Sequence, residues 1–247
     1  MTDLPARLWR EAKLQRRCLL RWATDVKHGQ MRLFSRKKVV SGSTWEFSLS
    51  LKQPIMPGDT LPNKLANITL AGQKIDQICL NPSQIFSFWE VVGRPSSGRG
   101  FLLSRNLVGG QISQAIGGGL CQVSGILYHL GLLGGLHIVE RHPHSLDIYR
   151  EDERFSPLGA DATVVYGYKD LRIQNCWEFP VVFSVQVKEQ QLVATLLSPQ
   201  PIAVRDIEFQ RSESTDGIFR EVLTLCHSPA ETQILSRSKY RVMLHKA

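Results

Sequence analysis

The sequence predicts an α+β fold, with helices mainly in its first half packed on a mostly antiparallel sheet from its second half. Three observations predict it. Apolar residues recur at three- and four-residue spacings in separate stretches up to Leu133. Beyond Leu136 they alternate or run in short groups bounded by Gly, Pro and Asn, as in strands. Two apolar runs, 181–187 and 192–197, flank the polar residues 188–191, which is the pattern of a hairpin.

Taking the chain in order, Leu4, Leu8, Ala12, Cys18, Leu19, Trp22 and Val26 follow helical spacing, and Arg7, Arg10, Lys13, Arg16, Arg17 and Arg21 intervene. This describes a basic amphipathic helix with Asp3 as its cap and Pro5 in its first turn. Arg36-Lys37-Lys38 followed by Ser41-Gly42-Ser43 marks a linker. Trp45, Phe47, Leu49 and Leu51 alternate with polar residues, so a half-buried strand is expected, ended by Pro54 and Pro57-Gly58-Asp59. Asn63 is suited to cap a helix whose buried face carries Ile68, Ala71, Ile75 and Ile78. Asn81-Pro82-Ser83 turns into an apolar strand over 85–92, a Gly/Ser/Pro loop fills 94–100, and 101–110 is either strand or loop.

From 121 to 133 Val123, Ile126, Leu127, Leu130 and Leu133 form a broad apolar helix face that Gly134-Gly135 stops. Leu136, Ile138 and Glu140 begin a strand. If it continues, His142 and His144 share one face and Arg141 and Ser145 the other. Strands are also expected over 163–168 and 170–174, with Asp170 and Asn175 fixing the turns. The tail, with Ile207-Glu208-Phe209, 219–225 and 240–244, reads as a small β appendage. The expected organisation is therefore a basic helical extension and linker (1–44), a core (45–205) and a C-terminal β segment (206–247).

Composition narrows the function classes. Among 247 residues, 43% are hydrophobic, an ordinary share for a globular protein. Residues 1–40 hold eleven Lys/Arg and three Asp/Glu, so the whole net charge of +8 lies there and the remainder is neutral. A local basic segment fits contact with an anionic membrane surface; a nucleic-acid-binding fold is not expected. No apolar run is long enough to span a bilayer, and charges break up the apolar residues of the N-terminus, so the expected address is cytoplasmic, peripheral to the membrane. Five scattered cysteines with no Cys-x-x-Cys pair argue against a disulfide framework or a zinc knot; four are expected to be small buried residues. No cofactor is expected, and the oligomeric state is not legible.

The chemistry concentrates in Gly117-Gly118-Gly119-Leu120-Cys121-Gln122-Val123-Ser124 and Glu140-Arg141-His142-Pro143-His144-Ser145. Three glycines free the backbone just before a helix, which puts Cys121 at the helix N-terminus, where thiolate is favoured. A cysteine nucleophile needs a base and a group behind the base. His142 or His144 is the candidate base, and Asp161 or Glu140 the orienting carboxylate. Gly117, Gly118, Gly119, Gln122 and Ser124 are candidate substrate contacts, with first-turn amides and the Gln122 side chain forming an oxyanion hole. Arg141 either pairs with Glu140 or binds a substrate carboxylate. Two other readings compete: a metal shared by His142, His144 and Cys121 or Asp161, and a non-catalytic peptide or glycan pocket lined by the glycines, Phe86, Phe88 and Arg141. His137, among apolar residues, is expected to be structural, and His129 solvated.

These stretches carry a family resemblance. Asn67, Pro82-Ser83-Gln84-Ile85-Phe86-Ser87-Phe88 with Gly93, the glycines with Cys121-Gln122-Val123-Ser124, 140–145, 159–164, Asp170-Leu171 and Asn175 occur in an order that resembles the VanW family. Trp89 stands where Asn is usual, and Gly125-Ile126 where small hydroxyl residues are usual. The resemblance implies a link to glycopeptide resistance and cell-wall metabolism. A substrate derived from peptidoglycan peptides is expected on that ground, either as substrate of a thiol-dependent amidase, peptidase or transferase or as ligand of a binding accessory protein.

Overall fold

The computed structural model describes residues 4–39, 45–108, 111–147 and 154–242. The expected Asp3 cap, the Ser41-Gly42-Ser43 linker and the end of the 240–244 strand lie outside them. The basic helix forms as α1 (Leu4–Lys27). Glu11, Leu14, Cys18, Arg21 and Asp25 recur every three or four residues and make its inner face. Glu11 pairs with Arg94, Arg21 with Glu140 and Asp25 with Arg172. Leu14 and Cys18 close over Gly167. Ion pairs thus hold this helix on the core.

β1 (Phe47–Pro54) is followed by α2 (Leu61–Ile75). This helix starts before Asn63, because Pro62 suits the first turn and Thr60 is the cap residue. Asn63 instead donates to the Leu103 carbonyl. After β2 (Ile78–Leu80), the strand expected over 85–92 is cut short. β3 (Ile85–Ser87) gives way to α3 (Phe88–Val92), because the Ser87 hydroxyl accepts the Glu90 N–H and caps a helical turn. β4 (Leu103–Val108) and β5 (Gln111–Ile116) pair as a hairpin, so the ambiguous 101–110 stretch is mostly strand.

α4 (Leu120–Leu133) runs between Gly119 and Gly134. β6 (His137–Glu140) stops at Glu140, earlier than expected, and β7 is only Leu146–Asp147. The expected strand over 163–168 is a turn closed by a single bridge, Val165 to Lys169; strand returns as β8 (Arg172–Gln174). β9 (Val181–Lys188) and β10 (Gln191–Ser198) form the expected hairpin over Glu189 and Gln190, both at positive φ. β11 (Asp206–Glu213), β12 (Phe219–His227) and β13 (Thr232–Val242) make an antiparallel meander.

The fold class is α+β, as expected. One antiparallel sheet has the order β1-β10-β9-β2, and α2 and α4 pack against it and each other. Ile68 and Ile75 of α2, Ile126, Leu127 and Leu130 of α4, and Phe183, Leu192 and Leu196 of the hairpin are wholly buried in this core. A second sheet has the order β3-β8-β6, and the C-terminal sheet has the order β11-β12-β13-β7. Its last member, β7, adds parallel to β13 and brings the chain just after the histidines against the C-terminal segment.

Three side-chain expectations change with tertiary context. His129 packs edge-on against Phe209, and burial pulls its pKa down to about 4, so it is a neutral packing residue rather than a solvated one. His137 is exposed rather than enclosed. Cys176 is exposed, whereas Cys18, Cys79, Cys121 and Cys226 are half-buried; all five are free thiols.

Candidate active site

The turn before α4 shows what the three glycines do. Gly117 and Gly119 hold φ of 84° and 101°, a region costly for any residue with a Cβ. Gly118 lies against β4: a Cβ there would stand 2.5 Å from the Arg105 carbonyl oxygen and 2.8 Å from the Ser104 backbone. Asn67 of α2 fastens the same place, donating to Leu102 O and Gly118 O and accepting from Leu102 N–H. We expect Gly118→Ala to lower stability by about 1–3 kcal/mol, the cost of overpacking against backbone that cannot swing aside; a urea titration reads it. An unchanged midpoint would show that the hairpin is free to shift.

Cys121 therefore enters the first turn of α4 at a fixed position. One face of this helix carries Cys121, Ser124, Gly125 and Tyr128, and it packs on the irregular segment 159–164. At Gly125 the backbone of Ala160, Asp161 and Ala162 comes within 3.6 Å of where a Cβ would stand. Ser124 donates to Ala162 O at 2.6 Å, and the Cys121 sulfur lies 3.9 Å from Val164 O. Because Ser124 is buried and bonded to backbone, it fixes this packing and is not a substrate contact.

Opposite that face, the chain leaves β6 and bends. His142 O accepts the Thr163 N–H, and Ser145 O accepts the Arg241 N–H. This bent segment does not continue the strand, so the two histidines take different partners. His142 Nε2 meets Glu140 Oε1 at 2.9 Å. His144 meets Asp161 instead: its Nδ1 lies 2.7 Å and its backbone N–H 2.6 Å from Asp161 Oδ2, and the imidazole is close enough to the Cys121 thiol to act on its charge, although the hydrogen bond of that thiol runs to Val164 O. Cys121, His144 and Asp161 thus stand in one row, His144 hydrogen-bonded to Asp161 and electrostatically coupled to Cys121.

The other oxygen of Asp161 is equally occupied. Oδ1 accepts from Tyr240 Oη at 2.5 Å and from Arg141 at 3.0 Å. Arg141 itself is almost enclosed, stacked over the Tyr128 ring, and donates to Asp161 O, Gly159 O, Ser238 Oγ and Tyr240 Oη. A guanidinium so committed neither binds a substrate carboxylate nor pairs with its neighbour Glu140. It is a bolt between the core and the C-terminal sheet. Tyr240 and Ser238 are the residues that sequence reasoning missed. Their signal was the alternation of β13, which turns both inward, but nothing in the sequence told which core group they meet.

Charge follows from these contacts. Burial pushes the Cys121 thiol up, but the His144 imidazolium beside it outweighs burial and leaves its pKa lowered. Burial opposes the charged form of His144, yet the bond to Asp161 and the thiol of Cys121 lift its pKa to about 10. Desolvation opposes the charge of the half-buried Asp161, yet His144 and Arg141 hold it well below the usual carboxylate range. Burial and the Asp161 carboxylate keep the Tyr240 phenol protonated. Each of these shifts favours the charged form: thiolate at Cys121, imidazolium at His144 and carboxylate at Asp161.

Glu140 and His142 belong to a different cluster. Glu140 also accepts from Arg21 at 2.7 Å and from the Asp170 N–H; burial opposes its ionisation, but these bonds and that of His142 hold its pKa at about 2. Arg172 joins Asp25 and Asp170 there. The shared-metal arrangement is thereby broken, since His142 and His144 turn to separate carboxylates; among the described residues no group of three or more His, Cys, Asp or Glu is disposed around a metal. The pocket of the binding alternative is also not formed, because Phe86 and Phe88 are wholly buried in the core. Gln122 Nε2 donates to Pro54 O, which takes that side chain to the end of β1.

Fold and site together define an α+β protein with a Cys–His–Asp constellation at the start of a helix. The family model described as VanW like protein matches residues 63–197, and the chain belongs to that family. It is 34% identical over 139 residues to the Bacillus subtilis protein titled Uncharacterized protein YoaR, covering 56% of this chain and 44% of that one. It is 26% identical over 161 residues to Vancomycin B-type resistance protein VanW of Enterococcus faecalis, covering 64% of this chain and 58% of that one. The chain therefore spans about half the length of these relatives. No solved structure matches it.

Proposed function

We propose that the protein is a thiol-dependent acyl-transfer enzyme, a hydrolase or transferase acting at an amide bond. The observation that carries the proposal is that His144, hydrogen-bonded to Asp161, is electrostatically coupled to Cys121 in the first turn of α4. In this reading Cys121 Sγ attacks the carbonyl carbon, and the C–N bond breaks as the His144 imidazolium gives its proton to the leaving amine. Water or a second amine then attacks the thioester; His144 takes a proton from it, and the thiolate leaves. The first-turn position keeps the Cys121 N–H outside the intrahelical ladder, where it serves the oxyanion, whereas Gln122 N–H is engaged by Gly119 O. Arg141, Tyr240 and Ser124 act by positioning.

The relative named for vancomycin resistance supports a search for the amide bond among cell-wall-derived peptides. The test is incubation with a peptidoglycan digest, products being read by mass spectrometry. Turnover is expected for the natural protein and none for Cys121→Ala. Alkylation by iodoacetamide at about pH 6 is expected at Cys121 ahead of the other four thiols. A Cys121 that labels only in denaturant would sink the enzymatic reading and return the protein to a binding role.

A further inference from the structure

The outer face of α1 is the largest feature that the proposed chemistry does not use. About a quarter turn round the helix from the docked residues Glu11, Leu14, Cys18, Arg21 and Asp25, it presents Leu8, Leu19, Trp22 and Val26 in one stripe, at 63%, 64%, 56% and 48% exposure. Trp9 and Leu20, 65% and 52% exposed, share the adjoining face and widen the apolar surface. Water-facing apolar surface of this extent on one helix marks a contact surface.

The charges say what it fits. The only two carboxylates of α1, Glu11 and Asp25, are taken by Arg94 and Arg172 on the docked side. The ionised side chains of α1 left outside these pairs are therefore basic; Arg16 and Lys27 share the face of Trp9 and Leu20, and Lys13 lies over the Trp9 ring. Most of the chain's net charge of +8 sits on and just after this helix. The helix is 24 residues long, about 36 Å at the usual rise, and among the described residues no helix is long and apolar enough to cross a membrane.

We propose that α1 is a peripheral membrane-binding helix that lies in the interface of an anionic lipid surface. The stripe enters the boundary of headgroups and acyl chains, the two tryptophans sit at headgroup level, and the basic margin meets lipid phosphates. Because the ionic inner face keeps its bonds to Glu140, Arg172 and Arg94, the core is carried to the surface with its Cys121 site intact. This inference is independent of the proposed chemistry.

The test uses the full chain and sedimented vesicles, one set of equal parts phosphatidylglycerol and phosphatidylcholine and one of phosphatidylcholine alone. Binding is expected to the anionic set only, with a blue shift of tryptophan emission, and to weaken in about 0.5 M salt. The double variant Leu19→Glu, Trp22→Glu keeps the fold by circular dichroism, because both side chains point to water, and is expected to bind at least about tenfold more weakly. Equal binding by that variant, or no binding by the natural chain, overturns the proposal. Concentration-dependent self-association without lipid that the same variant abolishes also overturns it, by assigning the face to a second copy.

Discussion

His144→Ala is expected to reverse the shift of the Cys121 thiol, turning a lowered pKa into a raised one. Burial is the largest single influence on this thiol and pushes it up; the neighbouring imidazolium does most to reverse the sign, and the contact with Val164 O adds to it. With that charge gone, burial decides, and each unit of upward shift removes about nine-tenths of the thiolate present at neutral pH. The measurement is the pH dependence of iodoacetamide labelling, with Cys121→Ser as background. His142→Ala is the control and should leave the profile in place, because His142 bonds Glu140 and not Cys121. Equal effects of the two substitutions would show that the base has been misassigned.

The same pair sets a stability window. The folded-state pKa of His144, about 10, lies above the free value of about 6.5, so its contribution is complete below about 6.5 and is lost as the pH rises through about 10. Cys121 and Asp161 are lowered, so their contributions are lost as the pH falls through their folded-state values. His144→Ala should accordingly flatten the alkaline decline in unfolding free energy.

The largest loss of stability is expected from Arg141→Met. The substitution keeps the stacked apolar stem but removes donors to Asp161, Gly159, Ser238 and Tyr240 together. It leaves the half-buried Asp161 carboxylate with His144 as its remaining cationic partner, and breaking a buried pair from one side costs up to about 3–5 kcal/mol. A urea titration measures the cost. Thiol labelling should fall with it, since Asp161 is then free to take up a proton and no longer holds the imidazolium. Arg141→Lys should recover only part of either property, because one ammonium cannot replace a planar fork bonded on both edges. A cost below about 1 kcal/mol would mean that the C-terminal sheet is dispensable to the site.

Much of this molecule was written locally. The basic helix, the hairpin of β9 and β10, the helix after the three glycines and the place of Cys121 at its start follow from spacing and from residues that stop or start helices. Where a local competitor was stronger than periodicity, the sequence misled: Ser87 caps a turn inside an apolar run, and Pro62 starts α2 ahead of Asn63. The candidate nucleophile, base and orienting carboxylate were all among the residues named from sequence, but which histidine meets the cysteine was not. Alternation placed His142 and His144 on one face, and only the end of β6 at Glu140 separated them, because Arg21 and the Asp170 N–H hold Glu140 while Asp161 draws the next turn of chain toward Cys121. The roles of Arg141, Ser238 and Tyr240 were decided by tertiary structure alone. Their bonds join residues up to 99 positions apart, and no local pattern encodes a contact that exists only once separate sheets have packed.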